Sequence, residues 1–348
     1  MRLAFYAPLK PPAHPVPSGD RAMARSLIAA LETLGARVDL ASALRTRDGK
    51  GDAEIQADLI AQANAQIPQI IAQGKAANWQ AWITYHTYYK APDLIGPSVA
   101  QSLGIPYLSI EATRARKRLG GAWDRFARAA EQACDAADVV FYLTERDSKA
   151  LRDYAPPAQK HILLKPFLNR DDLPPRAEGS HLLAVGMMRA AAKLPSYQLI
   201  AETLALMPDD TRLEIAGDGP ARALVELAMA PFADRVTFLG ALSAQKLEQA
   251  YQRSGALIWP GVDEAFGLTY LEAQAHGLAV IAQDRPGVRD VLYPRDYPKV
   301  EEGAAGLAAL AASPAPSPDD IRAHIRQYHL RPATAETLRL GLEMVGVK

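Results

Sequence analysis

Short β-rich runs alternate with longer helical patterns along most of this chain of 348 residues. A strand-like run at residues 2 to 7 is followed by a helical pattern with apolar residues from Met23 to Leu34, which ends at Gly35. Further β-rich runs lie at 81 to 86, 106 to 110 and 138 to 144. Strands that alternate with helices in this way form parallel sheets covered by helices.

A second series of the same kind follows a proline-rich stretch at 161 to 176, which predicts a linker. Its β-rich runs lie at 181 to 186, 212 to 217, 235 to 240, 256 to 260 and 278 to 282. We therefore predict an α/β protein of two Rossmann-like, doubly wound parallel-sheet domains that face a cleft. The expected domains are 1–168 and 169–332, with a C-terminal helix at 333–348 that joins the first domain.

Composition narrows the function classes. The 39 Lys and Arg residues balance 39 Asp and Glu residues, so a nucleic-acid partner is not expected. Cys134 is the single cysteine and cannot form an intrachain disulfide, which agrees with a reducing compartment. The N-terminal apolar run is too short for a signal peptide, and no stretch is apolar enough to span a bilayer. We expect a cytoplasmic protein, with peripheral contact at the inner face of the membrane left open.

The familiar nucleotide and hydrolase motifs are missing from the sequence. The first strand is followed by PLKPPAHPVPSGD, which contains no GxGxxG motif of a nicotinamide dehydrogenase. Neither a GxxxxGK[ST] phosphate loop, nor HExxH, nor GxSxG occurs.

The most informative stretch is WPGVDEAFGLTYLEAQAHG, at residues 259 to 277. A buried strand ends there and a helix is predicted to begin near Phe266, where free N–H groups and the helix dipole would favour an anion. Glu264 precedes this helix and Glu272 lies within it, roughly 12 Å further along the axis at 1.5 Å per residue. This separation suits a nucleotide sugar laid across the helix terminus.

With AGDGP at 216 to 220, RVTFLG at 235 to 240 and the segment at 17 to 38, this E-x7-E element resembles the retaining glycosyltransferases of family 4, which have the GT-B fold. The resemblance implies that Glu264 binds hydroxyls of the donor sugar and Glu272 the ribose. It places four residues near the sugar and phosphates, Phe266, Gly267, Leu268 and Thr269. It places the nucleoside near Gly217, Gly219 and Leu239.

The resemblance also concerns cations and the first domain. Family members have a pattern like G-R-L-x-x-x-K, and here Met187 stands at the arginine position, so Arg189 and Lys193 are assigned to the leaving diphosphate. His86, at the end of a strand, is expected either to approach the donor sugar or to be a satisfied strand-end histidine. Gly19 is expected to allow close approach of a ligand, although capping alone explains its neighbours Ser18 and Asp20.

A basic segment, TRARKRLGGAW at 113 to 123, contains Arg114, Arg116, Lys117 and Arg118. A solvated loop is the first interpretation, and contact with anionic lipid or an acidic acceptor glycan is the alternative.

Together these features predict a retaining hexosyltransferase that uses a UDP- or GDP-sugar and an acceptor hydroxyl on a glycan, lipid or small molecule. A front-face reaction is expected, with no metal or other cofactor required. The alternatives are another GT-B enzyme, such as a phosphorylase or epimerase, or a catalytically silent protein that binds sugar nucleotides.

Overall fold

A computed structural model gives the structure of residues 1–16, 18–191 and 193–348. Pro17, which begins the 17–38 segment, and Ala192, between Arg189 and Lys193, lie outside the described residues. The chain divides into two compact units, Met1–Lys165 with Arg331–Lys348, and Pro166–Leu330. These boundaries lie a few residues before those expected from the sequence.

The first unit contains a parallel sheet built from β1 (Arg2–Tyr6), β2 (Arg37–Leu40), β3 (Ala81–Thr87), β4 (Tyr107–Ala112), β5 (Val139–Tyr142) and β6 (Lys160–Leu163). The strand order is β2-β1-β3-β4-β5-β6. Its helices are α1 (Gly19–Thr33), α2 (Ala53–Ala77), α3 (Gly96–Leu103), α4 (Asp124–Ala136), α5 (Glu145–Asp153) and α12 (Arg331–Met344), with a 3₁₀ turn at Arg116–Arg118. The strand order reverses between β1 and β3, which is where ligands bind in open α/β sheets.

Local chemistry explains how α1 and α12 are held in the first unit. The Ser18 hydroxyl caps α1 by accepting a hydrogen bond of 3.2 Å from the Arg21 N–H, and the apolar stripe of α1 is buried. Gly35 follows the end of α1 with φ of 75°, a conformation that favours glycine. A Cβ atom at Gly341 of α12 would overlap the Phe141 ring of β5, so the C-terminal helix lies very close to this sheet.

The second unit contains a parallel sheet built from β7 (His181–Val185), β8 (Leu213–Ala216), β9 (Val236–Gly240), β10 (Ser254–Ile258) and β11 (Ala279–Ile281). The strand order is β11-β10-β7-β8-β9. Its helices are α6 (Leu194–Leu204), α7 (Arg222–Met229), α8 (Ala244–Gln252), α9 (Leu268–Ala275), α10 (Gly303–Ala312) and α11 (Pro318–Tyr328). Short 3₁₀ turns occur at Ala230–Phe232, Val288–Asp290 and Val300–Glu302. This order reverses between β7 and β10.

Two local features differ from the sequence interpretation. The predicted linker at 161 to 176 was wrong at its start, because the edge strand β6 runs to Leu163 and pairs with β5. Four residues at a sheet edge are too few to show a periodic pattern. The 25-residue helix α2 was not predicted. Its buried positions, including Ala63 and Ile70, form only a narrow stripe among apolar and polar residues that are spread around the helix. No helix within the described ranges is long and apolar enough to cross a membrane.

Candidate functional site

A cavity of about 540 Å³ lies in the second unit, at the carboxyl ends of its strands where the strand order reverses. Residues that follow β7, β8, β9 and β10 contribute to its wall. Seven of the residues predicted from the sequence line this cavity: Lys193, Gly217, Glu264, Gly267, Leu268, Thr269 and Glu272. The E-x7-E pair therefore shares one cavity with the glycine-containing turn after β8.

The Glu264 carboxylate is held by two donors on the cavity wall. Lys193 Nζ forms a salt bridge with Glu264 Oε1, and the Trp259 indole N–H donates a hydrogen bond of 3.0 Å to the same oxygen. The two charged side chains are 18% and 15% exposed. Trp259 itself is buried and packs edge-on against Tyr197 at 5.2 Å between ring centroids. Glu264 is thus fixed by neighbours from the loop before α6 and the end of β10.

The N-terminus of α9 opens beside this carboxylate. Gly267 is its N-cap residue, and no side chain caps the helix there, so the first backbone N–H groups can bind an anion. Gly267 has φ of 79°, and a Cβ atom would come within 2.8 Å of the Tyr270 ring. The position requires glycine for both reasons.

Glu272 lies on α9 and is buried against Tyr251 of α8. The Tyr251 hydroxyl donates a hydrogen bond of 2.9 Å to Glu272 Oε2. Burial raises the pKa of Glu272, and the Tyr251 hydrogen bond opposes this rise. A second cavity of about 400 Å³, which includes Arg170 and His276, shares Glu272 with the first. The carboxyl group therefore lies where the two cavities meet.

The turn after β8 comes unusually close to the turn after β7. Gly217 and Gly219 have φ of 145° and 152°, which favour glycine. A Cβ atom at Gly217 would overlap the Gly186 carbonyl, and one at Gly219 would crowd the Met188 carbonyl. The GDGP turn therefore has a structural reason for both glycines, and Gly219 does not line the cavity.

The other predicted residues of the second unit lie outside the cavity wall. Arg189 is exposed, and its guanidinium lies 3.6 Å from the sulfur of Met187, which does line the cavity. Phe266 and Leu239 are half-buried and pack against the hydrophobic core of this unit.

In the first unit, His86 lies between two carboxylates at the sheet's own reversal point. Its Nδ1 is 3.0 Å from Asp20 Oδ1 and 3.8 Å from Glu111 Oε2. Burial favours the neutral imidazole, but the charges of Glu111 and Asp20 outweigh it and raise the pKa of His86. The hydrogen bond with His86 lowers the pKa of Asp20, whereas burial raises the pKa of Glu111.

Glu111 was not singled out from the sequence, although it stands at the end of the run PYLSIEA. His86 and Glu111 both have positive φ, 59° and 58°, which is uncommon for residues other than glycine. Strained residues at the ends of adjacent strands are typical of functional sites. Gly19 begins α1, and a Cβ atom there would meet nothing within 4 Å.

In the basic segment at 113 to 123, Arg114 was expected to be available for contact with a lipid or glycan, and the structure shows that it is not. Its side chain is 1% exposed and forms ion pairs of 2.7 Å with Glu131 and with Asp135 of α4. Arg114 is therefore a buried structural residue and is unavailable to a lipid or glycan. Arg116 and Lys117 are exposed, and Arg116 lies over the Tyr154 ring.

Within the part of the chain that the structure describes, no group of three or more His, Cys, Asp or Glu side chains is placed to hold a metal ion. Lys193 and the open end of α9 are the positive groups that the described cavity offers to an anion.

Residues 179–325 match the family model described as Glycosyl transferases group 1, and this stretch lies within the second unit. Over 139 residues the chain is 36% identical to the D-inositol 3-phosphate glycosyltransferase of Mycolicibacterium paratuberculosis, covering 38% of this chain and 30% of that protein. The chain thus spans less than a third of the length of this curated relative.

Solved structures resemble the whole chain. Sucrose-phosphate synthase of Thermosynechococcus elongatus has a TM-score of 0.68 at 19% identity, covering 99% of this chain and 98% of that one. Anabaena Alr3699/HepE, solved with UDP and glucose, has a TM-score of 0.65 at 14% identity, covering 99% and 100%. The predicted fold class is confirmed: two parallel-sheet α/β domains, as in GT-B glycosyltransferases.

Proposed function

We propose that this protein is a glycosyltransferase that transfers a hexose from a nucleoside diphosphate sugar to an acceptor hydroxyl. The observation that carries the proposal is the second unit's cavity, where Glu264, Glu272 and the uncapped N-terminus of α9 meet. This cavity lies within the stretch that matches Glycosyl transferases group 1. The sugar nucleotide is assigned to this unit and the acceptor to the first unit.

The cavity residues have distinct proposed roles. Glu264 accepts hydrogen bonds from hexose hydroxyls, and Glu272 binds the ribose. The N–H groups at the start of α9 and the Lys193 ammonium bind the diphosphate, with exposed Arg189 as a second cation from the same loop. Gly217 and Leu239 belong to the proposed nucleoside neighbourhood. A UDP- or GDP-sugar is proposed as the donor, and Alr3699/HepE, which shares the fold, was solved with UDP and glucose.

The proposed reaction retains the anomeric configuration and proceeds on one face of the sugar. The bond from C1 to the diphosphate oxygen breaks while the bond from C1 to the acceptor oxygen forms, and the acceptor proton passes to the leaving phosphate. Lys193, Arg189 and the dipole of α9 stabilise the charge that develops on that phosphate. His86, oriented through Nδ1 by Asp20, is proposed to approach the sugar with its other ring nitrogen.

The first experiment is a thermal-shift panel of UDP, GDP, ADP and their sugars. A ligand at 100 times its Kd adds about 2.7 kcal/mol to the stability of the unit that binds it. We expect one base to raise Tm in the wild type, and a smaller rise in Glu272→Gln. Glu264→Ala should abolish transfer of the matching sugar, and NMR of the product should show the donor's anomeric configuration. Full transfer by Glu264→Ala, or an inverted product, would refute the corresponding assignment.

A catalytically silent protein that binds sugar nucleotides is the second candidate, favoured by Met187 at the position expected to be arginine. Tight nucleotide binding without turnover across a broad acceptor panel would support it. Met187→Arg separates the two, because restored turnover in that variant would identify the methionine as the cause of silence. Turnover that requires inorganic phosphate would instead indicate a phosphorylase, and donor isomerised without an acceptor would indicate an epimerase.

A further inference from the structure

Three loops meet at the carboxyl edge of the first sheet, after β2, β3 and β4. The buried Asp48 carboxylate accepts hydrogen bonds from the backbone N–H groups of residues 50 to 52 and from Gln56 Nε2. Gln56 also donates to the Ala122 carbonyl at 2.9 Å, and the Asp48 N–H donates to the Lys90 carbonyl at 2.9 Å. These bonds fasten the three loops to one another, so the side chains at their tips are held in place.

Two cations and two aromatic rings pack together at these tips, and we name Tyr89, Lys90, Arg118 and Trp123 the Arg118 cluster. The two rings meet edge to face with centroids 5.6 Å apart. Lys90 Nζ lies 5.7 Å from the Tyr89 centroid and 5.4 Å from that of Trp123. The Arg118 guanidinium lies 5.0 Å and 5.5 Å from the same two rings. Two positive charges, those of Lys90 and Arg118, therefore lie beside the same pair of aromatic rings.

The positive charge of this cluster has no carboxylate partner within the described ranges. Neither Lys90 nor Arg118 forms an ion pair there, and the buried Arg118 Nε has no hydrogen-bond acceptor. The carboxylate of Asp124, next to Trp123 in sequence, is paired with Arg128 at 2.8 Å. Arg114, four residues before Arg118, shows the opposite arrangement, since two carboxylates neutralise it. An anion bound between Lys90 and Arg118 would relieve their repulsion and satisfy the guanidinium.

Aromatic contacts connect this cluster to His86. The His86 and Tyr88 ring centroids are 5.2 Å apart, and those of Tyr88 and Tyr89 are 5.6 Å apart. A molecule that reaches His86 can therefore extend along these rings toward Lys90 and Arg118. We infer that the Arg118 cluster binds a carboxylate or phosphate group on a sugar acceptor. This inference rests on the proposed function, in which the first unit binds the acceptor.

A sugar fits the cluster better than a lipid surface does. The four side chains are half-buried between loops, whereas a bilayer is met by cations that project into solvent. Arg116, an exposed cation of the same segment, lies instead over the Tyr154 ring, and Lys117 is exposed as well. Binding to anionic vesicles is therefore treated as a contrary outcome of the test.

The test follows the Trp123 indole N–H by ¹H–¹⁵N NMR in the full chain, with the signal assigned from Trp123→Phe. Glucuronic acid, glucose 6-phosphate and glucose are titrated separately at constant ionic strength. We expect at least one anionic sugar to bind about tenfold or more tightly than glucose, as charge-assisted hydrogen bonds require. The two anionic arms distinguish a carboxylate from a phosphate.

Arg118→Gln and Lys90→Gln should each reduce this preference for the anionic sugar to about twofold or less. Lys117→Gln is the matched control, because it removes the same charge from the same segment and should leave the preference unchanged. An unaltered NMR spectrum away from the cluster shows that each variant is folded. If Arg118→Gln fails to fold, Lys90→Gln tests the same cluster.

Equal affinity for glucose and both anionic sugars overturns the inference. An equal loss in Lys117→Gln also overturns it, because the effect would then be general surface charge. Binding to phosphatidylglycerol vesicles without any anionic-sugar preference overturns it in favour of a lipid. The thermal-shift panel on the same samples separates the two proposals. A nucleotide shift without anionic preference refutes only this inference, and no shift with any nucleotide refutes the proposed function.

Discussion

Replacing Lys193 with methionine isolates the contact that fixes Glu264. The two side chains are only 18% and 15% exposed, so the pair falls outside the class of surface salt bridges worth at most about 1 kcal/mol. Two unit charges 4 Å apart attract by about 4 kcal/mol at an effective dielectric constant of about 20. The Trp259 indole would remain as one donor to the stranded carboxylate. We therefore expect Lys193→Met to lower the free energy of unfolding by about 3 kcal/mol.

The assay is a double-mutant cycle by urea denaturation of the wild type, Lys193→Met, Glu264→Gln and the double variant. The second unit's transition is analysed separately from that of the first, because two units need not unfold together. Glutamine keeps an acceptor for Trp259 and removes the charge, so the double variant should regain most of the lost stability. We expect a coupling energy of about 2 kcal/mol. A coupling below about 0.5 kcal/mol would refute the reasoning, because the pair would then behave as two solvated charges.

Three further predictions concern other titratable or buried groups. Glu111→Gln should lower the pKa of His86, seen by NMR titration of the imidazole, because it removes a carboxylate that stabilises the charged ring; an unchanged pKa would contradict this. In the wild type, the free energy of unfolding should include the full contribution of charged His86 below about pH 6.5 and should lose it as pH rises through the raised pKa of His86. Urea denaturation at several pH values should show no such loss in His86→Gln. Arg114→Met should cost about 3 kcal/mol in unfolding free energy, because it leaves the Glu131 carboxylate, only 13% exposed, without its partner. Exposed Arg116→Met should cost less than about 1 kcal/mol.

Alternation of strands and helices was sufficient to predict both parallel sheets. The buried strand β5 is a continuous apolar run, and α1 shows its cap at Ser18 and its end at Gly35 directly in the sequence. The edge strand β6 and the long helix α2 were missed for the same physical reason. Each buries few side chains, so contacts with neighbouring elements rather than its own pattern determine its structure.

The candidate site also contains some residues that the sequence predicted and others that it did not. Glu264 was predicted from the E-x7-E motif, and Gly217 from the family resemblance. Both follow strands whose carboxyl ends meet at one edge of the sheet. The side-chain partners of the site residues were not predicted. The Trp259 hydrogen bond to Glu264 and the approach of Glu111 to His86 depend on side-chain direction and on strained backbone at strand ends. Likewise, four neighbouring cations gave no sign that Arg114 would be buried in ion pairs.

The Lys193–Glu264 salt bridge links the two ends of the proposed donor. In the structure the Lys193 ammonium and the Glu264 carboxylate pair with each other. The proposed function instead assigns Lys193 to the diphosphate and Glu264 to the hexose. A diphosphate that draws Lys193 away leaves Glu264 with the Trp259 hydrogen bond and with free acceptor capacity. Because an unpaired carboxylate in this partly buried place is costly, hexose hydroxyls then bind it more favourably than they would bind the salt bridge. Under the proposed function, hexose recognition would therefore depend on the nucleotide, and the coupling energy of the double-mutant cycle would set the upper limit of that dependence.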